Sequence, residues 1–350
     1  MAAPDVAPTP HNPTTPRLRL GLVSAARITP PAIIEPLAVG HPQLSDVAVT
    51  VLGARDRARA EDAASRWDVP TVVDTYDDVW THRDVDAVYI ATPAGYHHEH
   101  TLAALAAGRH VLCEKPIASN AVEAAEMVEA ARDARLVLME AFHWRHHPLV
   151  AQMRRIIDSG ELGEIRHADA RFVLPDGHIP RTDIRWDATI GGGSLMDLGC
   201  YPVQWVRWLF GPEPAVVRAD AVESIPGIDG RITAELVWPG GRTASIESSM
   251  IGPDTVGDSR LVVHGSAGTL TVNNPLAPQF GGGVTVSTAD GDRTEDVDPS
   301  ATYLHQLVRF RAAVLDGADP ITHGDDSIQT MRTIDEIYTR AGLQPRPSRR

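Results

Sequence analysis

The sequence predicts an α/β protein of two domains, a parallel-sheet domain first and an α+β domain on an open, mostly antiparallel sheet second. Three observations carry that expectation. The first part of the chain alternates apolar, β-branched runs with helical stretches, as right-handed βαβ crossovers require. After about Ala141 the alternation stops, and strand-like segments follow one another through turns such as Pro239-Gly240-Gly241. The chain has 350 residues, and single cores stop growing at roughly 250–300 residues.

Residues 17–23 read as the first strand, with a helical stretch from Ala25. A strand at 47–53 leads to a helix at 56–67. A strongly β-branched strand at 86–92 ends in Thr92-Pro93. An alanine-rich helix at 101–107 stops at Gly108 and feeds the strand 111–113. A helix at 121–134 and a strand at 136–140 complete a Rossmann-type dinucleotide-binding domain over residues 17–140. The second domain spans 141–343. It opens with helices at 151–159 and 196–210, the latter after Gly191-Gly192-Gly193. Strands are expected at 165–173, 216–224, 232–238, 243–250, 260–264 and 269–273, then helices at 303–315 and 325–341. Residues 1–16, rich in Pro, Thr and Ala, read as a disordered leader, and 344–350 as a short polar tail.

Hydrophobic residues make up 43% and charged residues 22%, as in an ordinary globular protein, and the net charge is −14. That balance argues against nucleic acid or an anionic membrane as a partner, because phosphate binding needs a basic face. Cys113 and Cys200 lie far apart in apolar runs and fit buried free thiols, although one bridge is compatible with the count. No apolar stretch reaches the roughly 20 residues that span a bilayer, and the expected location is the cytoplasm.

The run His110-Val111-Leu112-Cys113-Glu114-Lys115-Pro116 is the most informative stretch. An apolar strand ends in a carboxylate and an ammonium, and proline stops the pairing. In an open α/β sheet the carboxyl ends of the strands line the ligand crevice, which aims Lys115 at a site. A solvated lysine at a strand exit is the plain alternative. A dinucleotide fingerprint would put three glycines in the first strand-to-helix turn. Ser24, Ala26 and Thr29 stand at those positions, around Ala25, Arg27 and Ile28. A small-residue turn before a helix can still offer N–H groups to a pyrophosphate, and a ligand-free βα turn is the competing reading. After the second strand, Arg55 takes the place where Asp or Glu would mark NAD. Its guanidinium fork suits a 2′-phosphate, so NADP is expected ahead of NAD. Otherwise Arg55 is a surface residue paired with a nearby acid such as Asp56.

Several of these segments together resemble the glucose–fructose oxidoreductase/inositol dehydrogenase (Gfo/Idh/MocA) family. They are Glu114-Lys115-Pro116, Ala91-Thr92-Pro93 with His97, Glu140-Ala141-Phe142 with Arg145 and His147-Pro148, and the run from Gly192 to Tyr201. Tyr303-Leu304-His305-Gln306 and Ile334 to Tyr338 extend the match, which runs from about Leu18 to Leu343 and is most similar to the dihydrodiol dehydrogenase/NADP-dependent D-xylose dehydrogenase branch. The resemblance implies hydride transfer between a nicotinamide and a secondary alcohol or hemiacetal of a sugar, cyclitol or diol. It implies Lys115 and Tyr201 as the catalytic pair, with Asp197 matching a family aspartate. It also implies a homodimer or higher homo-oligomer assembled through the second sheet. Ser24 in place of the first glycine departs from the pattern.

Within that frame Tyr201 is expected to act as general acid/base, with the Lys115 ammonium lowering its pKa and orienting the substrate hydroxyl. Asp197, four residues before Tyr201, either bonds a substrate hydroxyl, positions Lys115, or serves only as a helix-start carboxylate. Cofactor contacts are expected from Ser24, Ala26, Arg27, Ile28, Arg55, Thr92, Pro93, His97, Glu114 and Lys115. Of these, His97 is expected to face the nicotinamide crevice, with His98 and His100 solvated. Glu114 is expected to steady backbone or ribose. No zinc pattern accompanies these histidines, and no metal is expected. The cluster His143, Arg145, His146 and His147 is placed at the domain junction, where Arg145 or His147 touches substrate or packs. Trp186, Trp205 and Trp208 read as core, with Trp144 or Trp186 able to stack on a substrate ring. Loops 174–187 and 275–283 are expected to set specificity. Two other functions fit the same fold: a non-catalytic dinucleotide-binding regulator, and a redox-neutral NAD-dependent glycosidase.

Overall fold

The computed structural model describes residues 16–349, so the expected leader lies almost wholly outside the described residues. The first sheet holds β1 (Leu18–Val23), β2 (Val47–Gly53), β3 (Thr71–Val73), β4 (Ala87–Ile90), β5 (His110–Cys113) and β6 (Leu138–Glu140) in the order β3-β2-β1-β4-β5-β6. All of its pairings are parallel. This is the Rossmann order, and its direction reverses between β1 and β4, which opens a crevice at their carboxyl ends. β1 and β4 are almost wholly buried because helices cover both faces, which explains their unbroken apolar runs.

The connecting helices are α1 (Glu35–Ala38), α2 (Arg57–Trp67), α3 (Tyr76–Thr81), α4 (His97–Ala106) and α5 (Ala121–Ala134). The helix expected from Ala25 begins later: the turn runs on to Thr29, and a π-helical segment Pro30–Ile34 leads into α1. Two prolines at its start set φ for a helix but supply no N–H, which delays the first turn. β3 and α3 were not expected. Three residues are too few for a period to show, and α3 depends on a Thr75–Asp78 capping box. α4 starts a turn earlier than its alanines suggested.

The second sheet contains β7 (Ile165–Pro175), β8 (Ala215–Ile225), β9 (Ile228–Val237), β10 (Thr243–Gly252), β11 (Asp258–Gly265), β12 (Gly268–Asn273), β13 (Gly283–Thr288) and β14 (Gly291–Glu295). Its order is β14-β13-β12-β11-β7-β10-β9-β8. Every pairing is antiparallel except β7 with β10, because the β8–β9–β10 meander returns alongside the strand that preceded it. The hairpin β13–β14 lies beyond the expected strands, and β14 carries no apolar period to announce it because it is exposed along nearly its whole length. α6 (Pro148–Asp158) and α7 (Cys200–Phe210) belong to this half, and Met153, Ile156, Val203 and Trp205 share one core with Ala170, Ile246, Leu261 and Val263.

Two expectations about domain limits are corrected. α8 (Thr302–Asp316) returns to the first domain, where Leu304, Leu307 and Phe310 pack with Leu18, Leu20 and Tyr89. Arg311 pairs there with Asp46 at 2.6 Å. α9 (Asp325–Arg340) spans both halves, since Asp335 accepts from the Ala121 amide while Ile334 and Ile337 lie in the core that includes the second sheet. The segment after Leu343 is no free tail. Arg346 is 3% exposed, pairs with buried Asp229 at 2.5 Å and donates to the Gly192 carbonyl at 2.6 Å. Asn120 of the first domain donates to the Arg346 carbonyl. A buried carboxylate from β9 decides this docking, and composition of the tail cannot announce it.

Candidate active site

Lys115 follows β5 directly, and it is the single lysine in a chain with 32 basic residues. Every other cation of the chain is an arginine, whose guanidinium cannot release its proton. That uniqueness is legible in the sequence, and it puts the one compact, titratable ammonium side chain of the protein at the exit of β5. The Lys115 ammonium donates to the Asp197 main-chain carbonyl at 2.7 Å and approaches its Oδ1 at 3.3 Å. It also lies 4.9 Å from the centre of the Tyr201 ring. The structure therefore brings Lys115, Asp197 and Tyr201 together. Asp197 stands in a π-helical turn, Leu195–Gly199, that leads into α7.

Arg185 completes the cluster and was not singled out in the sequence. Its Nε donates to Asp197 Oδ2 at 2.5 Å and its Nη1 to Asp183 Oδ1 at 2.9 Å. Asp183 Oδ2 in turn accepts from Arg27 of the first βα turn at 2.9 Å. The glycine run explains how this loop reaches the site. A Cβ on Gly192 would lie 2.7 Å from the carbonyl oxygens of Arg185 and Asp187, too close for any side chain.

The cofactor turn keeps its shape without glycine. Ser24 occupies the first glycine position with φ +94°, in the left-handed region, and its amide donates to the Gly53 carbonyl. Arg59, also not anticipated, braces the Ala25 carbonyl at 2.8 Å. Among the described residues the amides of Ala25, Ala26, Arg27 and Ile28 enter no hydrogen bond, and the turn sits where β1 and β4 diverge. Arg55 is exposed and pairs with no acid among the described residues, Asp56 included. These features fit a dinucleotide diphosphate and a further phosphate beside Arg55.

Comparison with known proteins agrees with this geometry. Residues 19–142 match the model described as "Oxidoreductase family, NAD-binding Rossmann fold", and residues 150–271 match the "GFO/IDH/MocA C-terminal domain". A D-xylose 1-dehydrogenase (NADP(+)) of Haloferax volcanii is 35% identical, covering 85% of this chain and 91% of the relative. The chain belongs to the GFO/IDH/MocA family. A trans-1,2-dihydrobenzene-1,2-diol dehydrogenase of Mus musculus is 34% identical over 81% of this chain and 80% of its own. A 3-ketoreductase from Actinomadura kijaniata, solved with NADP and TDP-benzene, superposes with a TM-score of 0.84 at 30% identity, covering 94% and 98% of the two chains. As a GFO/IDH/MocA member the chain is an oxidoreductase with an NAD(P)-binding Rossmann domain. No described helix is long and apolar enough to cross a membrane.

The electrostatics correct one expectation. Lys115 does not make Tyr201 acidic. Burial pushes the Tyr201 phenol well above its ordinary value, and the anionic forms of Cys200, Glu114 and Asp197 add to this while Arg185 opposes it. The Lys115 charge is directed at Asp197 instead. Burial pulls the Lys115 ammonium down, but Asp197, Cys200 and Glu114 outweigh it and leave its pKa raised. Burial also pushes Asp197 up, and Lys115 and Arg185 overcome that, holding it ionised. At neutral pH the site thus contains an ammonium, a carboxylate and a neutral phenol. His143 lies 3.3 Å from the Tyr201 hydroxyl and 2.7 Å from Thr302 Oγ1, and burial holds its pKa down at about 3, so it stays neutral. Tyr303 stacks on His143 at 4.0 Å.

Other expected residues turn out to be scaffold. His97 does not open onto the crevice: its ring lies 2.7 Å from the Thr92 carbonyl and 2.9 Å from that of Pro116, tying the exits of β4 and β5 together. Two carbonyl neighbours favour an imidazolium, yet burial prevails and lowers its pKa to about 4. His100 is buried, bonded to Thr92 and packed between Tyr76 and Tyr96, whereas His98 pairs with Glu126. Glu114 accepts from the Tyr89 hydroxyl at 2.6 Å, consistent with a bracing part. Pro93 is half-buried beside Thr92. Trp144 is 1% exposed and Arg181 covers the Trp186 ring at 4.0 Å, so neither presents a face to a sugar. His147 caps α6 through the Leu149 amide and faces the Ser300 carbonyl, which makes it a packing residue. It comes close to Asp298 and His305, but those hydrogen bonds use both of its ring nitrogens, so the trio fits no metal.

Proposed function

We propose that the chain catalyses reversible hydride transfer between NADP, with NAD as the second choice, and a secondary alcohol or hemiacetal carbon of a sugar, cyclitol or diol. The observation that carries this is the convergence of the single lysine with Tyr201 and Asp197 beside the crevice between β1 and β4. Relatives named for D-xylose, for a dihydrodiol and for a dTDP-linked keto sugar support the substrate class. When bound, the nicotinamide supplies or receives the hydride. The amides of Ala25 to Ile28 would hold the diphosphate of the dinucleotide and Arg55 its 2′-phosphate, with Thr92 and Pro93 bordering the crevice that Glu114 and His97 brace from behind.

Tyr201 is the acid/base and Lys115 the group that fixes the reacting oxygen. In reduction the neutral phenol gives its proton to the oxygen as negative charge develops there, while the Lys115 ammonium stabilises that charge. In oxidation the tyrosine must first lose its proton, which burial makes costly near neutral pH. His143, neutral and adjacent to the phenol, is placed to exchange that proton with Thr302 behind it.

We further propose a cytoplasmic homodimer. Two buried free thiols, Cys113 and Cys200, suit a reducing compartment. The open face of the second sheet presents Arg171, Arg218 and Arg260 among Asp169, Asp220 and Glu247, a mixed-charge surface that a two-fold-related copy can complement.

Aldoses, inositols and cyclic diols offered with NADP+ and NAD+ test the reading through formation of the reduced nicotinamide. Turnover with NADP+ preferred, abolished by Lys115→Ala, is expected. A protein that binds neither nucleotide, or whose Lys115→Ala variant is as active as the parent, refutes it.

A further inference from the structure

We propose that Arg185 is a positioning residue that restrains Asp197 and thereby keeps Lys115 aimed at the reacting oxygen. The proposal rests on the oxidoreductase reading of the site. Arg185 is the centre of an unbroken alternation of charge, Arg27–Asp183–Arg185–Asp197–Lys115, in which each carboxylate spends one oxygen on each neighbouring cation. Its fork serves both acids at once, Nε to Asp197 and Nη1 to Asp183. A lysine could not do this with one point charge.

The backbone of Arg185 is fixed as firmly as its side chain. Its carbonyl accepts from the Gly193 amide at 2.9 Å, and Gly192 packs against the same oxygen so closely that no Cβ fits. The loop thus delivers the guanidinium at a set point. With Oδ2 held by Arg185, Asp197 shows Lys115 only Oδ1, at 3.3 Å, and the shorter bond of the ammonium goes to the Asp197 carbonyl at 2.7 Å. That geometry leaves Lys115 over the Tyr201 ring. Without Arg185 the whole Asp197 charge turns on the ammonium and draws it off. The other groups facing Lys115 are Glu114, Cys200, His143, Tyr201 and Tyr303, and none of them touches Asp197 Oδ2.

The test uses the full chain and needs no substrate for its first part. Because Lys115 is the only lysine, competitive acetylation with acetic anhydride across pH, read by peptide mass spectrometry, reports its titration apart from the α-amino group. Arg185→Gln is expected to move the Lys115 midpoint upward by about one pH unit, since a nearby cation is gone and Asp197 is freed to pair with Lys115. On any substrate that is turned over, kcat is expected to fall about 10- to 100-fold while the nucleotide KM stays within about threefold. A Lys115 titration identical to that of the parent overturns the proposal, even if activity drops together with thermal stability. If Arg185→Gln does not fold, Arg185→Lys carries the test. It keeps the charge but reaches one acid only, and unchanged kcat in that folded variant overturns the proposal as well. Failure of every substrate leaves the acetylation result standing and counts against the oxidoreductase reading alone.

Discussion

Replacing Glu140 by glutamine is expected to flatten the stability profile between about pH 4.5 and pH 8. Glu140 ends β6 with 0% exposure; its Oε1 accepts from the Ile117 amide at 2.9 Å, just past Lys115-Pro116. Among the described residues its Oε2 has no hydrogen-bond partner, although the Ser327 hydroxyl is close by. Burial raises this carboxyl from 4.5 to about 8. Below pH 4.5 both the folded and the unfolded chain hold the proton, and the folded state keeps the full benefit. As pH rises from there the unfolded chain releases the proton while the folded one retains it, so stability falls. The decline ends once the folded carboxyl ionises near pH 8. At roughly 1.4 kcal/mol per pH unit the total is about 5 kcal/mol. Glutamine reproduces the neutral acid and keeps an oxygen for Ile117, so Glu140→Gln should match the parent near pH 4.5 and exceed it increasingly toward pH 8. Urea denaturation at pH 5 and pH 8.5 measures the difference, and contributions from Glu114, Asp229 and Asp335 cancel because both proteins share them. Parallel loss of stability in the two proteins would refute the argument.

Other outcomes follow from the same geometry. Ser24→Gly relieves a non-glycine residue at φ +94°, and thermal unfolding should show a gain of about 1 kcal/mol; a loss would mean that the Ser24 side chain is needed. Arg346→Ala strips buried Asp229 of its cation, and a cost of about 3 kcal/mol or more is expected in denaturant titration. The paired change Arg346→Met with Asp229→Asn should recover much of it. The rate of alcohol oxidation should climb with pH above neutrality, because burial keeps the Tyr201 phenol protonated. Reduction should hold steady over that range, and Tyr201→Phe should remove the oxidative rise; a flat oxidative profile in the parent would count against Tyr201 as base.

Much of this was legible because it is local. The helix Ala121–Ala134 matches its expected limits at both ends, with Asn120 capping the Val122 and Glu123 amides and Arg135 closing it in a left-handed conformation. β2 likewise runs over its expected residues. Arg185 was hidden because nothing near it in sequence says that Asp197 will need a second cation. His97, by contrast, looked like a crevice residue until its two carbonyl partners were in place.

By itself the sequence determined the βα alternation, the exit of β5 into Glu114-Lys115-Pro116, the uniqueness of Lys115 and the small-residue turn after β1. Those properties depend on propensity and spacing within a few residues. Only the tertiary structure decided that α8 returns to the first domain, that Arg346 neutralises Asp229, and that Lys115 spends its charge on Asp197 rather than on the Tyr201 phenol. Each of those outcomes joins groups far apart in the chain, and each is set by burial, which gives a charge its cost and its choice of partner only once the fold has closed around it.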